Sequence, residues 1–193
     1  HMLVDTNDWE KIVSKMGIDE SDRIIIYDNS DVISSCRCWF NFIYFGHNPK
    51  LVSVLNGGFE KWLIENRKIT NNLTDIKISN YKASEKNELV KDKKMIDQNI
   101  KTQKFKVVDA RSKERFEGKV TEPRKGLRSG SIVNSFCIPF QQCLNNDKTF
   151  KNKKDLKIVF ETCFKNVNEK EIVFSCGSGV TACVLALAYS LIN

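Results

Sequence analysis

The chain contains the stretch Glu171-Ile172-Val173-Phe174-Ser175-Cys176-Gly177-Ser178-Gly179-Val180-Thr181. The residues before Cys176 form a mostly apolar run of strand length, and the apolar segment 181–191 predicts a helix. Two glycines in the short connection indicate a tight loop, because glycine tolerates backbone angles that other residues avoid. The stretch therefore predicts a buried strand, a tight loop and a helix, the repeating unit of a parallel α/β sheet.

The same alternation of strands and helices runs through the rest of the sequence. Apolar runs of strand length occupy 23–28, 51–55, 105–109 and 171–175, and helical patterns occupy 9–16, 34–45, 59–66, 94–100, 112–116, 155–163 and 181–191. A polar loop leads to a further short segment at 136–139, which is left unassigned. Thr6 or Asn7 is the predicted N-cap of the first helix. The strand at 23–28 is predicted to be buried on both faces because it is so apolar.

A faint internal repeat divides the chain. The unit at 24–45 resembles the unit at 172–191, and alignment of their strands places Asp28 opposite Cys176. The polar, unpatterned segment 71–84 is predicted to be a linker between the two copies. Because the copies overlap only partly, we expect the first to lack its beginning and the second its last strand and helix.

Composition narrows the classes of function. The formal net charge is +7, yet no basic helix with interleaved aromatic residues indicates nucleic-acid binding. No apolar run approaches the ~20 residues that span a bilayer, and no export signal is present, so we expect a cytoplasmic protein. Seven cysteines without such a signal indicate reduced thiols, and two histidines with no zinc-type cysteine spacing give no reason to expect a metal.

Cys176 is the candidate nucleophile. Amide groups of the loop and the positive end of the following helix would both stabilise a thiolate, the reactive form of cysteine. A buried structural cysteine before a glycine-rich turn remains an alternative at this point. Cysteine phosphatases need an arginine six positions after the nucleophile to hold phosphoryl oxygens, and that position is Ala182.

Three groups of residues resemble the 3-mercaptopyruvate sulfurtransferases of the rhodanese superfamily. They are the loop Cys176–Ala182, a block comprising Val108-Asp109-Ala110-Arg111, Arg115-Phe116-x-Gly118, Glu122-Pro123-Arg124, Gly126, Ser129-Gly130-x-Ile132 and Asn134, and an earlier block comprising Tyr27-Asp28, Arg37-x-Trp39, Gly46-His47 and Val54-Leu55-Asn56-Gly57-Gly58-x-x-x-Trp62. Together they span most of the chain in the order that the family shows.

The resemblance implies two rhodanese-like domains, each a parallel sheet flanked by helices. Residues 1–70 would be the C-terminal part of a non-catalytic domain carrying Asp28 in the place of the cysteine, and residues 85–193 the catalytic domain. Cys176 would take sulfur from 3-mercaptopyruvate as a persulfide, releasing pyruvate. Thioredoxin, a small thiol or cyanide would then accept the sulfur, and no cofactor is implied.

The resemblance also suggests roles for individual residues. Arg115 and Arg124 would hold the carboxylate and keto oxygen of the substrate, which suits the planar guanidinium group. The other substrate-binding positions would be Gly177, Gly179, Val180 and Thr181. Asp109 and Arg111 would tie the strand end to neighbouring loops, and His47 would be structural.

Ser178 resembles the serine of a Ser-His-Asp proton relay. The relay histidine would be His1, unless His1-Met2 is the remnant of an expression vector, and the relay aspartate would precede residue 1.

Two other functions remain open. One is a thiosulfate sulfurtransferase, although such enzymes carry basic residues where Gly177 and Ser178 stand. The other is a rhodanese-like binding module that has lost catalysis.

Overall fold

The computed structural model describes residues 3–164 and 171–193, which fall into two compact units, His1–Val90 and Lys91–Asn193. The helices are α1 (Thr6–Lys15), α2 (Ser35–Tyr44), α3 (Gly58–Ile64), α4 (Lys93–Thr102), α5 (Lys113–Phe116), α6 (Lys153–Glu161) and α7 (Val180–Ser190). The strands are β1 (Ile24–Ile26), β2 (Val52–Val54), β3 (Lys106–Asp109), β4 (Phe136–Cys137) and β5 (Ile172–Ser175). The predicted elements are therefore confirmed in type and order, with boundaries that differ by a few residues.

The first unit is built on a parallel pair of strands, β1 and β2. Its core joins the buried face of α1 to aromatic side chains of α2, and Trp9 stacks on Phe45 with ring centroids 4.8 Å apart. The carboxylate of Asp5 accepts a hydrogen bond from the Asp8 N–H and caps α1, so the prediction of Thr6 or Asn7 as the cap is wrong. The prediction that β1 is buried on both faces is also wrong, because Ile25 is 61% exposed.

The predicted linker at 71–84 contains no helix or strand, but its second half is packed on the first unit. Tyr81 is buried there, and the Ser79 hydroxyl donates to the carbonyl of Ile18. The Ser84 N–H donates to the carbonyl of Phe45 at 3.0 Å. These contacts explain why the first unit extends to Val90 rather than ending near residue 70.

The second unit contains a three-stranded parallel sheet in the order β4-β3-β5. At its carboxyl edge Asp109 pairs with Cys137 on one side and with Ser175 on the other. Parallel strands end at the same edge, so the loop after β3 and the loop after β5 meet there. Helix α7 leaves this edge and is buried along most of its length, which fixes the loop that precedes it.

Candidate active site

The loop between β5 and α7 wraps its amide groups around the sulfur of Cys176. Sγ accepts hydrogen bonds from the N–H groups of Gly179 at 3.0 Å and Ser178 at 3.4 Å. The hydroxyl of Thr181 and the N–H of Ala182 donate to the same sulfur. Gly179 has φ 76°, in the left-handed region, and this turn is what directs successive amides inward.

These donors decide the protonation state of Cys176. Burial of part of the side chain disfavours the thiolate, but the hydrogen bonds from Thr181, Ser178, Ala182 and Gly179 outweigh it. The net effect is a pKa below the ordinary value of cysteine. A lowered pKa is what a nucleophilic cysteine needs, whereas burial alone would raise the pKa of a structural one.

Two arginines flank the backbone of Gly177. A Cβ atom on Gly177 would lie 3.2 Å from Nη2 of Arg115 and 3.2 Å from Nη2 of Arg124. Arg124 also donates to the carbonyl oxygen of Gly177. The predicted anion-binding arginines thus meet at the residue next to Cys176, and glycine at 177 leaves room for both guanidinium groups.

A network of buried ion pairs connects Arg115 to the end of β3. Nε and Nη2 of Arg115 donate to the two carboxylate oxygens of Glu122 at 3.1 and 2.5 Å. Nη1 of Arg111 donates to Glu122 at 2.8 Å, and Nε and Nη2 of Arg111 bind the carboxylate of Asp109. Arg111 also donates to the carbonyl of Gly130, so the structural roles predicted for Asp109 and Arg111 are confirmed.

The structure places the other predicted site residues as follows. Ser178 contributes its N–H to the sulfur, and Val180 is the first residue of α7. His1 lies outside the described residues, so the proton relay stays a prediction. The sequence analysis missed the N–H of Ala182 as a donor to the sulfur and Glu122 as the partner of Arg115. The role of Ala182 could have been predicted, because the first N–H groups of a helix have no partner within the helix.

The other thiols with shifted pKa values behave in the opposite way to Cys176. Burial raises the pKa of Cys137 to about 11 and that of Cys143 to about 12. It also raises the pKa values of Cys38 and Cys163. These groups are protonated at neutral pH, which agrees with the predicted packing roles.

His47 is a structural residue, as predicted. It is 2% exposed, and its ring nitrogens lie 3.2 Å from the Tyr81 hydroxyl and 3.0 Å from the Asp22 carbonyl.

The equivalent loop of the first unit holds a carboxylate instead of a thiol. Asp28 follows β1 and accepts hydrogen bonds from the hydroxyls of Ser30 and Ser34 at 2.5 and 2.6 Å. Burial raises the pKa of Asp28, but the hydrogen bonds from Ser30, Ser34 and Ser35 together lower it by more. The net pKa is below the ordinary value of aspartate, so the group is ionised at neutral pH. This loop offers no sulfur nucleophile.

The described ranges 3–164 and 171–193 contain neither a metal site nor a membrane span. No cluster of three or more histidine, cysteine or acidic side chains is placed to hold a metal ion. No helix there has the length and apolar character needed to cross a membrane.

Comparisons with known proteins agree with this geometry. The model of the rhodanese-like domain family matches residues 1–65 and 92–192. The chain is 35% identical over 190 residues to the 3-mercaptopyruvate sulfurtransferase of Mus musculus, with 97% of the chain and 63% of that protein covered. It is also 35% identical over 191 residues to the thiosulfate sulfurtransferase of Bos taurus, with the same two coverages.

The fold of the chain also matches that of a solved structure. The Tum1 protein from Saccharomyces cerevisiae superposes with a TM-score of 0.87 at 25% identity, covering 100% of this chain and 68% of that one. The chain spans about 63% of the length of the curated relatives named above. With two segments matched by one family model and the expected nucleophile loop in place, the chain belongs to the rhodanese-like domain family.

Proposed function

We propose that the protein transfers sulfur from 3-mercaptopyruvate to a thiol through a persulfide on Cys176. The observation that carries this proposal is the pairing of a stabilised thiolate with two guanidinium groups at the adjacent Gly177. The thiolate supplies the nucleophile, and the guanidinium groups suit a donor that carries a carboxylate beside a keto oxygen. The matched sulfurtransferases support the same reaction class.

In the first step the Cys176 thiolate attacks the sulfur atom of 3-mercaptopyruvate. An S–S bond forms, the carbon–sulfur bond breaks, and its electron pair goes to the carbon, giving the enolate of pyruvate. The proton of the substrate thiol passes to that carbon, so the products are pyruvate and a Cys176 persulfide anion. Arg115 and Arg124 would bind the carboxylate and keto oxygen, and Ser178 with His1 would move the proton.

In the second step the thiolate of an acceptor attacks the outer sulfur of the persulfide. The S–S bond breaks and Cys176 leaves as a thiolate, for which the hydrogen bonds of the loop are already arranged. The acceptors that we propose are thioredoxin or a small thiol, with cyanide as a laboratory substitute. Such acceptors require a reducing compartment, and we propose the cytoplasm.

Thiosulfate is the second candidate donor, because the matched bovine protein is named for that activity. Gly177 counts against thiosulfate. A side chain there would contact the guanidinium groups of Arg115 and Arg124, whose nearest atoms lie 3.2 Å from the Cβ position. The basic residue expected at this position in thiosulfate-specific rhodaneses would therefore bring a further positive charge against both guanidinium groups and require them to shift.

The test is turnover of 3-mercaptopyruvate with a thiol acceptor, measuring both pyruvate and transferred sulfur. We expect the intact protein to be active and a Cys176→Ser variant to be inactive. Equal signals from both proteins would refute catalysis by Cys176, and no turnover by the intact protein would favour the binding module. Faster turnover of thiosulfate than of 3-mercaptopyruvate would favour the second donor.

A further inference from the structure

The carboxylate of Glu122 is almost completely buried beside the candidate anion-binding site. Its side chain is 3% exposed, and its two oxygens receive Nε and Nη2 of Arg115 at 3.1 and 2.5 Å. The hydrogen bonds from Arg115 lower the pKa of Glu122, so the carboxylate remains charged. A buried negative charge next to a site for anionic substrates needs an explanation, because by charge alone it opposes substrate binding.

The geometry of the pair supplies that explanation. A two-point contact through Nε and Nη2 fixes the plane of the guanidinium group as well as its position. Nη1 of Arg111 also donates to Oε1 of Glu122 at 2.8 Å, and Arg111 is itself 10% exposed and bound to Asp109. The orientation of Arg115 is therefore set by a chain of contacts that starts at the buried end of β3.

We infer that Glu122 is a positioning residue that aims Arg115 at Gly177 and thereby sets the affinity of the site for an anionic sulfur donor. This inference rests on the proposed function for its substrate, but not for its geometry. Nη2 of Arg115 lies 3.2 Å from the Cβ position of Gly177, so a guanidinium group freed from Glu122 would lose its fixed approach to the neighbourhood of Cys176. Glu122 would act through Arg115 and would not touch the substrate.

Two possible roles of Glu122 predict opposite results for Glu122→Gln. The substitution keeps the size of the side chain and removes one negative charge. If Glu122 only neutralised charge, the variant would bind anions more strongly. If Glu122 positions Arg115, the variant binds anions more weakly despite the more positive site.

The experiment measures alkylation of Cys176 by iodoacetate and by iodoacetamide, following the peptide that contains Cys176 by mass spectrometry. The ratio of the two rates reports how well the site receives an anion, whatever the natural substrate is. We expect Glu122→Gln to lower this ratio several-fold and to raise KM for 3-mercaptopyruvate about tenfold with little change in kcat. In an Arg115→Ala background, the same change should alter neither quantity by more than about twofold.

Two further variants separate this role from a merely structural one. Arg115→Lys keeps the charge but cannot form the two-point contact, so it should lower the ratio even if Glu122→Gln folds poorly. Glu117→Gln is the matched control: Glu117 pairs with Lys119 at 2.7 Å at the end of α5, and its loss should leave the ratio unchanged.

The inference is overturned if Glu122→Gln leaves the ratio unchanged or raises it. It is also overturned if Glu122→Gln has the same effect with and without Arg115. If the unmodified protein does not turn over 3-mercaptopyruvate, the proposed function fails, while the alkylation ratios still decide the role of Glu122.

Discussion

The loops after β1 and β5 each hold a negative group at the end of a parallel strand, but they bind it with different hydrogen-bond donors. Each loop reaches its helix through a residue in the left-handed region, Ile33 with φ 48° and Gly179 with φ 76°. In the first loop, the side-chain hydroxyls of Ser30 and Ser34 bind the Asp28 carboxylate. In the second, the backbone N–H groups of Ser178 and Gly179 bind Cys176, and the hydroxyl of Thr181 adds a further hydrogen bond.

The difference in donors distinguishes the candidate catalytic loop from the loop that holds Asp28. Hydroxyls can satisfy a permanent charge wherever serine is available, but stabilising a thiol as a thiolate requires several donors converging on one atom. Glycine at the left-handed position lets the backbone provide most of them, beside the hydroxyl of Thr181. Ile33, by contrast, is 8% exposed, so the first loop uses its left-handed residue to anchor itself in the core.

The largest expected effect concerns Ile33. Ile33→Ala should lower the free energy of unfolding by about 2 to 4 kcal/mol, because it removes buried apolar volume. The rate of Cys176 alkylation should not change. Urea unfolding and alkylation kinetics on the same samples check both halves of this prediction.

Gly179→Ala is the matched variant in the second loop. It should cost about 1 to 2 kcal/mol, since alanine disfavours the left-handed region, and it should slow alkylation of Cys176. If Ile33→Ala slowed alkylation as much as Gly179→Ala, the division of roles between the loops would be wrong.

Arg115 tests whether anion recognition belongs to the second loop. Arg115→Ala should raise KM for 3-mercaptopyruvate about 10- to 100-fold, as expected for a lost charge-assisted contact, with a smaller effect on kcat. Steady-state kinetics give both constants. An unchanged KM would remove the assignment of the substrate carboxylate to Arg115.

Thr181 tests the stabilisation of the thiolate. The thiolate is the form that reacts, and its lowered pKa places the midpoint of Cys176 alkylation below that of an ordinary cysteine. Thr181→Val removes a donor and should move the midpoint upward. Thr181→Ser keeps the hydroxyl and should leave the midpoint near that of the unmodified protein; a Val variant with an unshifted midpoint would count against the hydrogen bond.

The smallest effect is expected at Asp28. Its pKa is lower in the folded than in the unfolded state, so its ionisation stabilises the fold above the unfolded pKa and ceases to do so as the pH falls through the folded pKa. Asp28→Asn should lower the free energy of unfolding by less than about 1 kcal/mol at pH 7 and by a smaller amount near pH 3. Urea unfolding at both pH values measures it, and a difference that grew on acidification would contradict the assignment.

Much of the fold was predictable because apolar patterns and glycine positions are local signals. The strand–loop–helix unit around Cys176 and the stop of α2 at Gly46, with φ 87°, were both expected from such signals. The exposure of Ile25 was not, since an apolar triplet carries no information about which faces of its strand are covered.

The identity of the main residues in the candidate site was predictable from the sequence, but the hydrogen bonds that position them were not. Cys176, Arg115 and Arg124 were expected in one site from the resemblance to known sulfurtransferases. The two-point contact of Glu122 with Arg115 depends on how a long loop folds back on β3, which no periodicity in the sequence encodes. The attachment of Tyr81 to the first unit was missed for the same reason, because an isolated aromatic residue in a polar segment does not reveal its partner.

The most direct test is a single-turnover measurement of the mass of the protein after brief exposure to 3-mercaptopyruvate. We expect a gain of one sulfur atom, located on the peptide that contains Cys176, with release of an equal amount of pyruvate. Cys176→Ser should show neither change. A sulfur atom found on another cysteine, or pyruvate released equally by Cys176→Ser, would contradict a catalytic persulfide on Cys176.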